Sequence, residues 1–303
     1  MTQTDLVTGA FSFTGSFVAE LLLQRGHTLR TLTGHPNPAH PLADRVDTRA
    51  FCFDDPVALA EHLKGVHTLY NTYWVRFDHG RNTYEGAVHN TQVLFRAARD
   101  AGVQRIVHVS IANPSLNSSL PYYRGKAQLE EDLQELGVDF AILRPTVIFG
   151  EGGLLINNIG WLLRRFPLFA VVGDGEYRMQ PVFVEDLAEL MVDAGASREN
   201  TVIDAVGPET YSYLELVKLV REMTGSRSKI VHVGPRLGYA LGRMLGWVVR
   251  DVLITREEIV GLLDDLLVSH ESPRCRTSFR QWLERSRGVV GRGYISELDL
   301  HYK

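Results

Sequence analysis

The sequence predicts an α/β fold, a doubly wound parallel sheet with helices on both faces, joined to a smaller C-terminal domain. Short apolar strands alternate with amphipathic helices along the chain, which is typical of parallel sheets built from strand–helix–strand units. At residues 6–15, LVTGAFSFTG, an apolar strand runs through a glycine-bearing turn into a helix. The length of 303 residues also suffices for a full α/β domain and a smaller one.

The individual elements follow from their apolar patterns and boundary residues. After the helix that begins at Thr14, the stretch TLRTLT predicts a second strand, and an Asp-Pro pair at residue 55 favours a helix start. The predicted later strands are residues 28–33, 49–53, 66–70, 105–110, 177–185, 201–206 and 229–233. The predicted later helices are residues 55–63, 84–101, a helix opened by Pro121, 154–166, 184–194, 212–224, 238–252 and 257–267.

The predicted division assigns residues 1–150 to a dinucleotide-binding domain, to which residues 176–206 return. Residues 151–175 and 207–303 are predicted to form the smaller, substrate-side domain. No internal repeat or low-complexity linker separates the two.

Composition excludes several classes of protein. A net charge of -4 lacks the basic excess of a general nucleic-acid surface, so we expect no nucleic-acid partner. Two cysteines supply neither a disulfide framework nor a metal cluster, which favours a reducing, cytoplasmic setting and no bound metal. The first strand begins close to Met1, so we expect no secretion signal, and the apolar runs are too short for a membrane span.

The turn at the N-terminus fits a dinucleotide pyrophosphate. Gly9 allows a sharp bend, Gly15 allows close approach of a phosphate, and the following helix offers unpaired N–H groups. Ser12 stands where the usual middle glycine would be. We expect this stretch to bind the cofactor, through Gly9, Phe11, Ser12, Phe13, Thr14 and Gly15.

The end of the second strand favours NADP(H) over NAD(H). An NAD site usually places a carboxylate there to bind the ribose hydroxyls, and this chain has Thr33, Gly34 and His35 instead. His35, Thr33 and Arg30 are candidate partners of a 2′-phosphate, although His35 is equally well explained as a solvated loop residue. Phe53, at the end of the third predicted strand, is expected to lie against the adenine.

An aromatic loop follows the fourth predicted strand. Ligands of open α/β sheets bind beyond the carboxyl ends of the strands, so Tyr73, Trp74 and Phe77 are candidate walls of a substrate pocket. The alternative is that these rings pack beneath a lid.

Acid–base chemistry is predicted on the helix opened by Pro121. Tyr122 and Lys126 are four residues apart and therefore project from one helix face. An ammonium near a phenol favours the phenolate and lowers the phenol pKa. Taken alone, the pair is equally consistent with an exposed helix surface.

Five motifs occur together in order: TGAFSFTG, HNTQVLFRAARDAGVQRIVHVS, PYYRGK, AILRPTVIFGEGG and QPVFVEDLAELMV. With them the chain resembles the short-chain dehydrogenase/reductase superfamily, which has a Rossmann fold. It is most similar to the extended and atypical branches: epimerase/dehydratases, NmrA-like proteins and the nucleotide-binding accessory subunit of respiratory complex I. The resemblance covers about the first two thirds of the chain.

The resemblance implies roles for further residues. Tyr122 matches the catalytic tyrosine, and Lys126 matches the lysine that binds the nicotinamide ribose. Thr72 and residues Pro145, Thr146 and Val147 are expected beside the cofactor. The usual catalytic serine or threonine becomes Ile111, so Ser110 or the loop residue Asn113 would have to supply a hydroxyl or amide, or else make ordinary loop hydrogen bonds. Cys52 stands where many relatives have an aspartate that binds the adenine amino group.

On the substrate side, Arg178 and Gln180 are pocket candidates, with a solvated strand edge as the alternative. The apolar stripe at residues 238–252 indicates core, cover for a hydrophobic ligand, or an interfacial membrane helix.

The function predicted from these features is an NAD(P)(H)-dependent oxidoreductase acting on a carbonyl or alcohol of a small, apolar molecule. One alternative is a non-catalytic NADP(H)-binding regulator or assembly factor, and another is an epimerase or dehydratase. The expected partner is a small-molecule substrate. The chain is expected to be a monomer or a homodimer.

Overall fold

The computed structural model describes residues 3–302, which divide into two compact units. The first unit runs to Pro145 and includes Val184–Ala205; the second comprises Thr146–Phe183 and the residues from Val206 onward. Residues 146–150, residues 176–183 and Val206, expected in the nucleotide domain, therefore group with the second unit. In chain order the elements are β1 Thr4–Thr8, α1 Phe13–Gln24, β2 Thr28–Thr33, β3 Val46–Ala50, α2 Pro56–Leu63, β4 Thr68–Asn71, α3 Tyr84–Asp100, β5 Arg105–Val109, α4 Pro121–Gln134, β6 Asp139–Pro145, β7 Val147–Phe149, α5 Leu154–Arg165, β8 Leu168–Val172, β9 Arg178–Met179, β10 Pro181–Phe183, α6 Val184–Ala196, β11 Thr201–Ala205, β12 Tyr211–Ser212, α7 Tyr213–Met223, β13 Lys229–Val233, α8 Pro235–Val249, α9 Arg256–Leu263, α10 Phe279–Ser286 and α11 Glu297–His301.

The first unit is a seven-stranded parallel sheet in the order β11-β6-β5-β4-β1-β2-β3. The chain starts at the centre, builds β2 and β3 on one side, and then returns to build β4, β5, β6 and β11 on the other. The order of strands therefore reverses between β1 and β4, the place where doubly wound folds bind ligands at the carboxyl ends of the strands. The predicted fold class is confirmed.

The sheet is covered on both faces because its strands are apolar on both sides. Leu6, Leu32 and Leu69 pack with helices α2, α3 and α4. Helices α1 and α6 pack against each other, and Val18 and Leu187 are buried there.

The second unit contains three two-stranded sheets, β7 with β10, β8 with β13 and β9 with β12. Its helices α5, α7 and α10 close over an aromatic core in which Phe149 contacts Phe279 at 5.0 Å and Trp282 at 5.1 Å between ring centroids.

Four predicted elements differ from the structure by three residues or more, or in their continuity. The third strand is Val46–Ala50 rather than residues 49–53, because an edge strand with exposed side chains carries no apolar alternation. The strand predicted at residues 177–185 is two short strands interrupted at Gln180, followed at once by α6. Helix α8 starts at Pro235, three residues before its predicted start, and ends at Val249, because the next residue, Arg250, has a left-handed φ of 56°. Helix α9 ends at Leu263, before Asp265, which also has a positive φ.

Between residues 3 and 302, no helix combines the length and apolar character needed to cross a membrane. Nor do the described residues contain a group of three or more His, Cys, Asp or Glu side chains placed to hold a metal ion.

Candidate nucleotide and active site

The turn between β1 and α1 is built around two glycines, and a side chain at either position would be strained or would clash. Gly9 has a left-handed φ of 65°, and its N–H donates to the carbonyl of Leu32 at 2.8 Å. A Cβ on Gly15 would lie 2.1 Å from the carbonyl oxygen of Gly9. Gly15 was predicted to allow the close approach of a phosphate. In the structure the backbone that lies close to its Cα is that of Gly9, within the same turn.

Ser12 takes the place of the missing middle glycine without blocking the helix end. Its hydroxyl donates back to the carbonyl of Gly9 at 2.7 Å and does not cap α1. The first turn of α1 contains no acidic residue. Because the first N–H groups of a helix have no partner within it, this end retains the donors and the positive dipole end that suit a pyrophosphate. The donor set fits a dinucleotide.

A hydrogen-bond network joins the ends of β1 and β4 beneath this turn. Thr8 Oγ1 accepts the N–H groups of Thr72 at 2.7 Å and Tyr73 at 3.0 Å and donates to Asn71 Oδ1 at 3.1 Å. Thr72 Oγ1 donates to the carbonyl of Thr8 at 2.6 Å. Thr72, a predicted cofactor residue, therefore fixes the spacing of the two strands at the point where their order reverses.

The same hydrogen-bond network extends to His108 on β5, a residue that no sequence motif marked as part of the site. Asn71 Oδ1 also accepts the N–H of Tyr73 at 3.2 Å, so its amide nitrogen is the atom that donates to His108 Nδ1 at 3.0 Å. The proton of His108 then lies on Nε2, and burial beside the Lys126 charge holds the pKa of the imidazole well below its usual range. The available sequence signal was a polar residue inside each of two buried strands.

At the end of β2 the predicted phosphate partners separate. Thr33 is buried and its Oγ1 accepts the N–H of His35 at 3.0 Å, whereas Gly34 and His35 are exposed. Arg30 is not available to a phosphate there, because its Nε donates to Asp47 at 3.1 Å and its Nη1 bonds the carbonyl of Lys64 at 3.2 Å. Binding of a 2′-phosphate by Arg30 would require these bonds to break, and its role stays a prediction.

Three aromatic rings gather where β3 and β4 end. Phe53 stacks on Phe51 with centroids 4.7 Å apart, and Tyr73 lies 5.1 Å from Phe51 and 5.2 Å from Phe53. The Tyr73 hydroxyl accepts the side-chain amide of Asn90 at 2.9 Å. Residues predicted separately for adenine and for substrate thus share one aromatic cluster. The third loop ring, Phe77, is buried, so the packing alternative applies to it.

Lys126 is the most unusual charged residue of the first unit. It is 2% exposed, its Nζ donates to the carbonyl of Val109 at 2.7 Å, and the ammonium lies 4.2 Å from the ring centroid of Trp74. Burial lowers the pKa of Lys126 to about 7, partly opposed by the charge of Glu130. Glu130 itself accepts two bonds from Arg144 Nε, at 3.0 and 3.1 Å.

Trp74 also contacts Tyr122, and this joins the predicted pair into one group. The two rings meet edge-on with centroids 5.5 Å apart, and Tyr84 lies 5.8 Å from Tyr122. Tyr122 and Lys126 were predicted to share a helix face. The indole of Trp74 contacts both of them, which the sequence did not predict. The indole Nε1 is buried and has no hydrogen-bond partner within residues 3–302.

At the position expected for the catalytic serine or threonine the chain has Ile111, preceded by Ser110, and both side chains are buried. Ile111 is buried and cannot form a hydrogen bond. The hydroxyl of Ser110 is also buried and has no partner among the described residues, while its N–H donates to Leu143 at 2.7 Å. Asn113 follows with a left-handed φ of 55°, and Pro145 accepts the N–H of Ala112 at 2.9 Å.

Four predicted site residues lie in the second unit. Val147 belongs to β7 and pairs with Pro181, and Thr146 Oγ1 donates to the carbonyl of Gln180. The amide of Gln180 is occupied at both ends: Nε2 donates to Gly207 at 2.9 Å and Oε1 accepts from Ser269 at 3.1 Å.

Arg178 donates from Nε to Asp265 at 3.1 Å. Gln180 is buried and hydrogen-bonded at both ends of its amide, and Arg178 is paired with a carboxylate, so both support the structure of this unit; their place in a substrate pocket stays a prediction.

The family model described as "NAD dependent epimerase/dehydratase family" matches residues 6–205. The chain belongs to this family. The resemblance to the short-chain dehydrogenase/reductase superfamily is confirmed. Membership of the family places the chain among the NAD(P)-binding proteins of this type. The match ends with β11, so it covers all seven strands of the parallel sheet.

Among curated proteins, the chain is similar to a mitochondrial and to a chloroplastic protein. The "NADH dehydrogenase [ubiquinone] 1 alpha subcomplex subunit 9, mitochondrial" of Rattus norvegicus is 30% identical over 172 residues, which cover 53% of this chain and 45% of the rat protein. The chain thus spans about half the length of the first relatives that it matches. The "Divinyl chlorophyllide a 8-vinyl-reductase, chloroplastic" of Zea mays is 26% identical over 258 residues, covering 76% of this chain and 61% of the maize protein.

Solved structures of other proteins share the fold of this chain. Triphenylmethane reductase of Citrobacter sp., complexed with NADP(H), superimposes with a TM-score of 0.72 at 18% identity, covering 93% of this chain and 99% of that one. MoeE5 in complex with UDP-glucose and NAD gives a TM-score of 0.70 at 19% identity, covering 94% of this chain and 97% of that one.

Proposed function

We propose that this protein is an NADP(H)-dependent oxidoreductase that acts on a carbonyl or alcohol of a small, apolar molecule, with Tyr122 as the acid/base. The observation that carries the proposal is Lys126. A lysine that is almost fully buried loses its hydration, and a methionine of similar length would avoid that penalty. An amine with a pKa of about 7, one helical turn from a tyrosine, suits proton exchange at neutral pH.

Within this proposal the turn from Gly9 to Gly15 holds the pyrophosphate, and the aromatic cluster of Phe53 holds the adenine. The lack of an acid at Thr33, Gly34 and His35 supports NADP(H) over NAD(H). The cofactor supplies or accepts the hydride. Tyr122 holds the transferred proton at its phenol oxygen, and Lys126 moves between charged and neutral forms beside it.

Ile111 limits the site that we propose. Losing one preorganised donor to a developing oxyanion typically reduces the rate by ~10² to 10³. The neighbouring Ser110 hydroxyl, buried and unpaired among the described residues, is the group we propose in its place. The rings of Tyr73 and Trp74 support an apolar substrate.

A non-catalytic NADP(H)-binding protein is the second candidate. The indole of Trp74 contacts both Tyr122 and Lys126, and Ile111 supplies no hydroxyl, so the same residues are consistent with a site that binds nucleotide without turnover. The similarity to a subunit of NADH dehydrogenase supports an assembly role. An epimerase or dehydratase, as the family name suggests, is a further variant of the enzyme. A cytoplasmic location and a monomeric or homodimeric state stay predictions.

The test is a titration with NADPH and NADH, followed by assays of NADPH oxidation with a panel of carbonyl compounds. Tyr122→Phe is compared with Tyr123→Phe, a neighbour on the same helix. General acid–base catalysis contributes ~10² to 10⁴ in rate, so we expect Tyr122→Phe alone to lose turnover by that factor while retaining NADPH affinity. Tight NADPH binding with no turnover on any carbonyl, in the unmodified protein, would favour the binding protein. Tighter binding of NADH would contradict the cofactor assignment.

A further inference from the structure

Helix α8 of the second unit carries an unusual distribution of charge. Its sequence, PRLGYALGRMLGWVV followed by Arg250, contains no acidic residue. Arg236 and Arg243 are seven residues apart and therefore lie on one side of the helix, Arg250 follows directly after its last residue, and all three are exposed. None of them forms an ion pair with a described residue.

The side of α8 that packs against the rest of the unit consists of glycines. Gly238, Gly242 and Gly246 are spaced at four residues, which puts them on one face. A Cβ on Gly238 would meet Val172 at 2.6 Å, and one on Gly246 would meet the carbonyl of Asp251 at 2.5 Å. The helix therefore packs through its smallest residues, and four of its large apolar side chains are left exposed on the outer face.

The outer face is apolar to a degree that a monomeric surface seldom shows. Trp247 is 85% exposed, Val248 65%, Met244 62% and Leu237 53%. At 100° per residue these four side chains cover an arc of about 100°, and Arg236 and Arg243 border it on one side, with Arg250 just beyond the C-terminal end of the helix. A contiguous exposed apolar strip of this kind marks an interaction surface.

Tyr239 extends the basic border to a neighbouring helix. The guanidinium of Arg256, the first residue of α9, lies 4.9 Å from the Tyr239 ring centroid, and that of Arg243 lies 6.0 Å from it. Both arginines are exposed. The apolar strip is thus accompanied by four arginines, although the chain as a whole has a net charge of -4.

We propose that the outer face of α8 binds the surface of an anionic lipid bilayer, with the helix lying in the interface. Leu237, Met244, Trp247 and Val248 would enter the boundary between headgroups and acyl chains, where tryptophan is favoured, and the arginines would contact the lipid phosphates. The charge decides between occupants. A second copy of this face would bring arginines against arginines, whereas an anionic membrane complements all four.

Vesicle flotation tests the proposal with the full chain. Vesicles of phosphatidylcholine alone are compared with vesicles that also contain phosphatidylglycerol, at low and high salt. We expect binding to the phosphatidylglycerol vesicles only, weakened by salt. The double variant Arg243→Gln/Arg250→Gln should lose about 30-fold in affinity, at about fivefold per arginine. Trp247→Ser should lose roughly tenfold.

Matched controls lie elsewhere on the surface. Val57→Ser changes an apolar residue that is 74% exposed on α2, and Arg165→Gln removes an exposed arginine at the end of α5. Both should bind vesicles like the unmodified protein. Unchanged thermal melting of each variant excludes misfolding as the cause of a loss.

Fluorescence gives a second measurement of the same face. Trp247 is the tryptophan most exposed to water among the described residues, so vesicle binding should shift the emission to the blue, and Trp247→Phe should remove that shift while largely retaining binding. The proposal is overturned by equal binding to neutral and anionic vesicles, by no binding to either, or by binding that survives both the arginine and the Trp247→Ser changes. Concentration-dependent dimerisation lost in Trp247→Ser, without vesicle binding, would also overturn it.

Discussion

The burial of Lys126 predicts a specific dependence of stability on pH. Its pKa falls from an ordinary value of 10.5 to about 7, chiefly because the side chain is removed from water. In the unfolded chain the amine stays protonated up to about pH 10. Between these two values the unfolded state binds one more proton than the folded state, so the free energy of unfolding increases as the pH rises.

The magnitude follows from the size of the shift. Each pH unit in the window contributes up to about 1.4 kcal/mol, and the whole span from about pH 7 to pH 10.5 is worth about 5 kcal/mol as an upper bound. Below pH 7 both states are protonated, so the contribution is constant and unfavourable. Replacing the lysine by methionine removes the titration while retaining an apolar side chain of similar length.

The assay is urea unfolding of wild type and Lys126→Met at intervals from pH 6 to pH 10. The difference between the two free energies of unfolding cancels every other titrating group that the substitution leaves unchanged. The free energy of unfolding of the wild type should rise steadily relative to that of the variant above pH 7. Lys218, which is exposed on α7, provides the control, and Lys218→Met should give a flat difference. A flat difference for Lys126→Met as well would refute the reasoning, because it would mean that the ammonium remains hydrated.

Two further substitutions test the supports of the site. Gly15→Ala places a Cβ against the backbone of the turn and should destabilise the chain by ~1–3 kcal/mol and weaken NADPH binding, whereas Gly293→Ala, which has open space, should do neither in melting and binding assays. Glu130→Gln removes the buried carboxylate of the pair with Arg144 and should lower the urea unfolding free energy by ~3 kcal/mol, while the exposed neighbour change Glu131→Gln should alter it by less than about 0.5 kcal/mol; equal effects would contradict the importance of the pair.

The sheet could be predicted from sequence because each of its central strands is apolar and bounded by turn residues. Strands β2 and β13 begin and end at the predicted residues, and the helices of the first unit agree within two residues. Strand β3 could not be placed, since its exposed edge position removes the apolar pattern and the following Phe51 and Phe53 supply a false one. The pattern of a strand is determined by its neighbours as much as by its own residues.

The site divides along a different line. The glycine turn could be predicted because its local backbone geometry requires particular residue types. Helical spacing predicts only that Tyr122 and Lys126 share a helix face, and their roles were implied by the resemblance to the short-chain dehydrogenase/reductase superfamily. The bonds of Gln180 and the link from Asn71 to His108 could not, because they join positions far apart in the chain. The contact of Trp74 with Lys126 likewise depends on how a loop folds over a helix, which no local pattern encodes.

Polar atoms around Lys126 lack hydrogen-bond partners, and their clustering has a functional meaning. Trp74 Nε1, His108 Nε2 and Ser110 Oγ are all buried and unpaired among the described residues, and all three belong to the ends of β4 and β5 or the loops that follow them. Each such group costs ~1–3 kcal/mol when nothing bonds to it. A purely structural core would replace them with apolar side chains at a gain in stability. Their concentration beside a buried lysine whose pKa is lowered to about 7 therefore favours a site at which a ligand supplies the missing hydrogen-bond partners, and this supports the proposed chemistry.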